Sequence, residues 1–225
     1  MQNMKMALIV GQGEVNQPLL NDMAPNLPLI ALDGAAHMLR ETGLSADVII
    51  GDFDSFDATA YGTDDGTPIK IAEQDTNDFE KALYHLKPEM LIGFGLFGKR
   101  FDQAMANLHV MAKYHDATKI IAVTNDEIIT VHKGRTRLSA AEDELFALIP
   151  LAPVRFHASH GLAYALDGLS LGFGACVSSS NQARAPFIDL VPEADDEDVF
   201  YACCRPLSLI ERDGLDDDGL SGLFA

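Results

Sequence analysis

The sequence predicts an α/β N-terminal domain with a mostly parallel sheet, followed by an all-β C-terminal sandwich domain. Up to about residue 125, short apolar runs alternate with stretches of helical period, an order typical of a parallel sheet with crossover helices. From Glu127 onward the helical period disappears, and short runs rich in β-forming residues lie between turns. We therefore expect domains at residues 1–125 and 126–210, with an acidic tail at residues 211–225.

Composition limits the possible partners. With 225 residues and 48% hydrophobic content, the chain can bury a core as one large domain or two small ones. Its net charge of −18 repels nucleic acid and anionic lipid, and no apolar run reaches the ~20 residues that span a bilayer. The cysteines, at 176, 203 and 204, lack metal-ligand spacing, so we expect incidental thiols. We expect a cytoplasmic protein without nucleic-acid or membrane partners.

The first two strands are predicted at Met6–Val10 and Leu29–Leu32. The first ends in the turn at residues 11–14, where a lone Gly-x-Gly is more often a tight turn than a phosphate loop. The second ends at Asp33, which is placed to cap a following helix that stops near Gly43. Capping and a role in a site are both open for Asp33.

Acidic residues follow three strand-like runs. Residues 48–50 lead directly into Asp52 and Asp54, whose spacing puts both carboxylates on one side of an extended chain. Acids also occur at residues 74–78 and 100–102, each after another apolar run. Since open α/β sheets bind ligands at the carboxyl ends of their strands, this pattern favours a Mg²⁺ site and a phosphate-handling enzyme.

Two helices are predicted beside these acids. Residues 77–86 have an amphipathic period, and Asp75 and Asp78 flank the first turn, where capping and the helix dipole also favour acids. A glycine-rich turn at residues 93–98 leads into a helix at residues 101–114, and such a turn exposes N–H groups to anions. The apolar side of this second helix is expected to include Phe101, Met105, Leu108 and Met111.

The second domain is predicted from runs of β-forming residues between glycine-bearing turns. These runs lie at residues 128–131, 145–149, 154–157, 169–171, 187–191 and 199–202. We expect them to form an antiparallel sandwich.

Four motifs, in order, carry a family resemblance. They are Gly51-Asp52-Phe53-Asp54-Ser55, Gln74-Asp75-x-x-Asp78-Phe79-x-Lys81-Ala82-Leu83, Gly95-x-x-Gly98-x-Arg100-x-Asp102 and Ser178-x-Ser180-Asn181. Together they resemble the ordered motif set of thiamine pyrophosphokinases, over roughly residues 30 to 190.

The resemblance implies transfer of the pyrophosphoryl group of ATP to thiamine, with Mg²⁺ as cofactor and ATP as co-substrate. It implies that Asp52, Asp54 and Asp75 hold the metal with Asp78 nearby. Arg100 would stabilise phosphate charge, and Asp102 would orient the metal or the hydroxyl. The remaining residues implied in nucleotide binding are Asp33, Ser55 and Gln74.

The resemblance also implies that the β domain binds thiamine and that the protein is a homodimer. The thiamine ligands would be Ser178, Ser180 and Asn181, acting across the dimer interface, with Tyr164 as an aromatic face. Tyr164 stands where many relatives have tryptophan.

Other departures leave alternatives open. Asn77 stands where the family usually has threonine, and Lys99 and Gln103 replace a glycine and a histidine. A pyrophosphokinase for another small alcohol, such as a hydroxymethylpterin, is therefore possible. A dehalogenase-type phosphatase also uses strand-end Asp-x-Asp, and a non-enzymatic nucleotide or metal sensor is the third alternative.

Overall fold

The computed structural model describes residues 4–53 and 66–213, the last three of these by their backbone alone. The chain divides into two compact units, Met1–Asn125 and Asp126–Ala225. The predicted site residues Asp54 and Ser55 lie outside the described residues, as does most of the predicted acidic tail.

The sheet of the first unit contains six parallel strands. They are β1 (Met6–Val10), β2 (Leu29–Leu32), β3 (Val48–Gly51), β4 (Thr67–Lys70), β5 (Met90–Phe94) and β6 (Lys119–Val123). Their order is β6-β5-β1-β2-β3-β4, and every neighbouring pair is parallel. The inner strands are almost wholly buried and apolar, as expected for a parallel sheet covered on both faces.

This strand order has a switch point beside β1. The chain adds β2, β3 and β4 on one side of β1 and then places β5 and β6 on the other. At such a point the connections leave neighbouring strand ends in opposite directions, which opens a crevice at the carboxyl edge. The turns after β1 and β5 therefore border the expected ligand position.

The helices of the first unit are α1 (Gln17–Met23), α2 (Ala35–Glu41), α3 (Asp78–Leu86) and α4 (Phe101–Lys113). Asn77 caps α3, because its side chain accepts the backbone N–H of Glu80 at 2.9 Å. The N-cap of α2 is Gly34, which has no side chain to cap the helix, and Asp33 lies one residue before it.

The buried face of α4 differs from the predicted one. Leu108 and Met111 are buried as expected, but Phe101 and Met105 are 78% and 41% exposed. The core stripe continues from Leu108 to Ala104, and Met105 lies about 100° around the helix from that residue. Phe101 lies in the first turn, at the start of the helix.

In the second unit, the described residues up to 213 form antiparallel strands, a 3-10 helix at Ala194–Asp196 and a short α-helix. The elements are β7 (Glu127–Lys133), β8 (Thr136–Ser139), β9 (Leu145–Pro150), β10 (Val154–His160), β11 (Ser170–Leu171), β12 (Ser178–Gln182), β13 (Phe187–Pro192), β14 (Phe200–Pro206) and α5 (Ser208–Asp213). The strands follow the orders β12-β9-β14-β7 and β11-β10-β13-β8. Each of the six predicted runs overlaps a strand, whereas β8 and β12 were not predicted.

One hydrophobic core serves both strand groups of the second unit. It includes Phe146 and Tyr201 from one group and Phe156 and Leu190 from the other. The Tyr201 hydroxyl donates within the core to Gly134 O or to Thr136 Oγ1, at 2.8 and 2.7 Å. The coarse prediction, an α/β part followed by an antiparallel β part, agrees with this architecture.

Among the residues that the structure describes, no helix is long and apolar enough to cross a membrane.

Candidate active site

A cavity of about 550 Å³ lies in the first unit, at the carboxyl edge of its sheet. Its walls come from the turn at residues 11–13 after β1, from Asp52 after β3, and from residues 74–78 before and at the start of α3. The turn at residues 95–100 after β5 and part of α4 complete it. The cavity therefore lies at the switch point of the strand order.

The turns after β1 and β5 are joined through their backbones. The N–H groups of Gly11, Gly13 and Glu14 donate to the carbonyls of Phe94, Gly95 and Phe97, at 2.8, 2.8 and 3.0 Å. A Cβ atom on Gly13 would lie 2.1 Å from Phe97 O, so a side chain cannot be accommodated without movement of the backbone. The Gly-x-Gly is a tight turn, as the sequence favours, and it also forms a wall of the cavity.

Asp52 and Gln74 meet across the ends of β3 and β4. The Gln74 Nε2 group donates to Asp52 Oδ2 at 2.7 Å, and both residues line the cavity. Asp33 lies close behind, because a Cβ atom on Gly51 would be 2.9 Å from Asp33 Cβ. Asp33 is 4% exposed and does not line the described part of the cavity.

Asp78 forms an ion pair with a buried lysine. Lys81 Nζ donates to Asp78 Oδ1 at 3.1 Å, and the side chains are 2% and 28% exposed, respectively. Burial of the ammonium works to lower the pKa of Lys81, but the hydrogen bond and charge of Asp78 outweigh it and leave that pKa raised. The sequence reasoning assigned Lys81 no role, although its position three residues after Asp78 on an apolar helix face was a usable signal.

Glu73 organises the turn that contains Asp75. Its carboxylate accepts the backbone N–H groups of Asp75 and Thr76, at 2.7 and 3.1 Å, and the hydroxyls of Thr76 and Tyr84. These hydrogen bonds, led by the Thr76 hydroxyl, lower the pKa of Glu73. Asp75 is exposed and does not line the described part of the cavity.

Arg100 borders the cavity and is paired with Asp102. The Arg100 Nε group donates to Asp102 Oδ1 at 3.1 Å, and its Nη2 group donates to Asp102 Oδ2. The pairing raises the pKa of Arg100 and lowers that of Asp102. Asp102 itself lies outside the described cavity wall. The neighbouring Lys99 donates from Nζ to Gln12 O at 2.9 Å, which links the two turns a second time.

The four predicted thiamine ligands are together in the second unit. Asn181 is 2% exposed, and its Oδ1 atom accepts the N–H groups of Tyr164 and Gln182, at 3.0 and 2.9 Å. Its Nδ2 group donates to Tyr164 O at 2.8 Å and to Ser178 Oγ at 3.4 Å. Residues 178–182 form a strand, in which Ser180 is exposed and has a positive φ.

The described structure thus divides the predicted residues of the first unit into two groups. Asp52, Gln74, Asp78 and Arg100 share the cavity wall, whereas Asp33, Asp75 and Asp102 flank it. Among residues 4–53 and 66–213, no cluster of three or more His, Cys, Asp or Glu side chains could hold a metal. The predicted metal set of Asp52, Asp54 and Asp75 includes one residue outside that description.

Known proteins share both the sequence pattern and the fold. A family model described as "Thiamin pyrophosphokinase, catalytic domain" matches residues 24–123. Thiamine pyrophosphokinase 1 of Arabidopsis thaliana is 27% identical over 194 residues, which cover 78% of this chain and 72% of the relative. Thiamine pyrophosphokinase 3 of Oryza sativa subsp. japonica is 30% identical over 157 residues, covering 61% and 58%.

The solved structure of thiamin pyrophosphokinase from Candida albicans has the same fold. It aligns with a TM-score of 0.76 at 18% identity, over 91% of this chain and 89% of that chain. The catalytic-domain match contains most of the cavity wall, including Asp52, Asp78 and Arg100, whereas the turn at residues 11–13 lies before it. In sequence and in fold, the chain is therefore similar to thiamine pyrophosphokinases.

Proposed function

We propose that this chain transfers the pyrophosphoryl group of ATP to the primary hydroxyl of thiamine, which yields thiamine diphosphate and AMP. The observation that carries the proposal is the cavity at the sheet's switch point, where Asp52 and Asp78 face glycine turns and the cations Lys81 and Arg100. This combination suits a polyphosphate that arrives with a divalent metal.

The donor chemistry of the cavity fits Mg²⁺. Magnesium binds one or two protein carboxylates together with phosphate oxygens and water, and Asp52 and Asp78 supply two carboxylates at the cavity wall. We propose that Asp52 holds the metal together with Asp54 and Asp75, as the family resemblance implies. When bound, the metal would neutralise phosphate charge and polarise the phosphorus–oxygen bonds.

The protein's part in the reaction is to position the reactants and balance charge. The thiamine oxygen attacks the β-phosphorus in line, and the bond from that phosphorus to the α–β bridging oxygen breaks. AMP leaves with the bridging oxygen, and the hydroxyl proton is released. Arg100 and Lys81 compensate the charge on the transferred group, and the N–H groups of the glycine turns are available to phosphate oxygens.

We further propose that unit 2 binds thiamine and that the protein is a homodimer. Two features support a cationic acceptor site: the net charge of −18 and the Tyr164 side chain, which is 69% exposed. A neutral pterin alcohol would gain less from this charge.

The deciding experiment is an AMP-release assay with ATP, Mg²⁺ and a panel of acceptor alcohols. We expect AMP and thiamine diphosphate in equal amounts, and neither product without thiamine. Release of phosphate from simple phosphomonoesters without AMP would favour the phosphatase alternative, and turnover with a pterin alcohol alone would exclude thiamine.

The same assay tests Asp52. Asp52→Asn keeps the shape of the side chain but removes a charge worth about 3 kcal/mol to the metal-bound transition state, so kcat should fall about 100-fold. Asp22→Asn, on the exposed side of α1, is the matched control and should be fully active. Near-normal turnover of purified Asp52→Asn would exclude the metal role.

A further inference from the structure

Two amides, the partly buried Asn77 and the buried Asn107, connect the acidic wall of the cavity to its glycine wall. Asn77 precedes Asp78 in the chain, and Asn107 lies in α4 at 9% exposure. The Asn77 Nδ2 group donates to Asn107 Oδ1 at 3.0 Å. The Asn107 Nδ2 group donates to Leu96 O at 2.7 Å, and Leu96 belongs to the turn after β5. Both amides line the cavity.

The network itself fixes the orientation of both amides. Because Asn77 Oδ1 accepts the N–H of Glu80 at 2.9 Å, its Nδ2 group must face Asn107. Asn107 must then present its oxygen to Asn77, which leaves its own Nδ2 group for Leu96 O. Reversing either amide would place two donors or two acceptors against each other.

A helix cap alone does not require this arrangement. A serine or threonine hydroxyl accepts an N–H at an N-cap about as well as asparagine. Asparagine differs in offering a donor beyond the cap, and here that donor reaches a residue 30 positions away.

We propose that Asn77 and Asn107 are positioning residues that set the separation between Asp78 and the glycine turn at residues 95–98. This inference rests on the proposed function, since it assigns both residues to the fit of the polyphosphate. Their link crosses from the start of α3, through α4, to the turn after β5. The turn's N–H groups and the acid therefore keep a fixed spacing before ATP binds.

The test compares Asn77→Ser with Asn16→Ser. Asn16 is a matched control because it caps α1 by accepting the N–H of Leu19 at 3.1 Å. Serine retains the cap in both variants, so neither should lose the stability that the cap supplies. Asn77→Ser alone loses the link to Asn107.

We expect Asn77→Ser to lower kcat/KM for ATP about tenfold to 100-fold without changing the KM for thiamine, because small misplacements of reacting groups carry such costs. Calorimetric binding of Mg²⁺ with a non-hydrolysable ATP analogue should weaken in parallel. Asn16→Ser should match the wild type in both measurements. Equal behaviour of the two serine variants would overturn the proposal.

A double-mutant cycle separates a shared link from two independent defects. Asn107→Leu is close to asparagine in size but can neither accept from Asn77 nor donate to Leu96 O, so it breaks the same connection at its other end. If the link acts as a unit, the double variant should lose no more affinity than either single variant, whereas additive losses would refute it. Because binding of the ATP analogue is measured without thiamine, these results stand apart from failure of the acceptor assignment.

Discussion

The carboxylate of Glu73 accepts hydrogen bonds from four donors beside the cavity. These donors are two backbone N–H groups and two hydroxyls, yet Glu73 belongs to none of the motifs that the sequence suggests. The same four donors shape the turn that presents Gln74 to Asp52. Glu73 therefore influences the site by fixing the conformation of this turn, since its own side chain does not line the described cavity.

The pH dependence of this turn follows from the lowered pKa of Glu73. The ionised carboxylate contributes stability above the unfolded pKa of about 4.3, and this contribution is lost as pH falls through the lowered folded value. Glu73→Gln should remove that part of the acid sensitivity, as followed by circular dichroism during acid titration. Glu142→Gln, at an exposed glutamate of the second unit, should leave the titration unchanged, and the same curve for both variants would contradict the prediction.

Some of the residues that line the cavity can be noticed from their immediate neighbours in the sequence. The carboxylates of Asp52 and Asp78 and the guanidinium of Arg100 stand beside strand ends and glycines, and they line one cavity. Asn107 could not be found in this way. Its partners are an amide 30 residues earlier and a backbone carbonyl, and the residues next to Asn107 in the sequence indicate neither of them.

At the scale of elements, the glycine turns after β1 and β5 pack directly against each other. Their backbones lie too close together to leave room for side chains between them. Gly13→Ala would bring its Cβ within 2.1 Å of Phe97 O and 2.6 Å of Gly95 O, both of them backbone atoms that cannot rotate away. We expect a loss of about 1–3 kcal/mol in unfolding free energy and a weaker affinity for ATP. Chemical denaturation and nucleotide titration would measure the two effects.

A matched glycine control is available in the second unit. A Cβ on Gly172 would meet its nearest neighbour, Pro153, at 3.6 Å, an ordinary contact distance. Gly172→Ala should therefore be tolerated. If both alanine variants lost the same unfolding free energy, the close approach of the two turns would not explain the effect of Gly13→Ala.

The strand β12 and the segment around Tyr164 form a second rigid element. All four hydrogen-bonding positions of the Asn181 amide are used within the unit, so Asn181 holds the Tyr164 backbone and has no bond left for a ligand. The Tyr164 ring projects from this clamp and remains exposed. A role of Asn181 in acceptor binding would thus be exerted through Tyr164.

This arrangement predicts how variants at the two positions combine. Asn181→Ala and Tyr164→Ala should each raise the KM for thiamine about tenfold, with little effect on the KM for ATP, and the double variant should be no worse than the poorer single one. Tyr164→Phe keeps the aromatic face and should be close to the wild type. An Asn181→Ala variant that loses ATP affinity instead would show that the clamp has a different role.

The sequence did not predict β12, because pairing with another strand, rather than composition, makes this segment a strand. Residues 178–182 are Ser-Ser-Ser-Asn-Gln, without the alternating apolar positions that mark a strand. They are extended because they pair with β9, across a register shift between Ser178 and Asn181. The motif resemblance identified these residues while their polarity suggested a loop.

At the scale of the whole molecule, the order of strands was the property that the sequence could not supply. Alternating strands and helices predict a parallel sheet, but the same alternation allows several orders. Only the placement of β5 beside β1 brings the turn at residues 11–13 against the turn at residues 95–98. A lone Gly-x-Gly therefore could not be assigned to the site before the fold was known.

The last prediction concerns the homodimer and the proposed acceptor site. If unit 2 of one subunit completes the cavity of its partner, then a defect in Asp52 and a defect in Tyr164 can complement each other. A heterodimer of Asp52→Asn and Tyr164→Ala subunits would contain one site with both defects and one site with neither. At thiamine concentrations well below KM, random co-assembly should then restore about a quarter of the wild-type activity, because half of the dimers are mixed and each mixed dimer has one intact site.

Co-expression with two affinity tags would isolate the mixed dimers, and AMP release would measure their activity. Pairing Asp52→Asn with Arg100→Ala is the control, since both defects lie in unit 1 and every site in the mixed dimer would keep one of them. That control should show no recovery. Sedimentation of a fully active monomer, or equal inactivity of the two pairings, would refute a shared site and leave each subunit to bind its own thiamine.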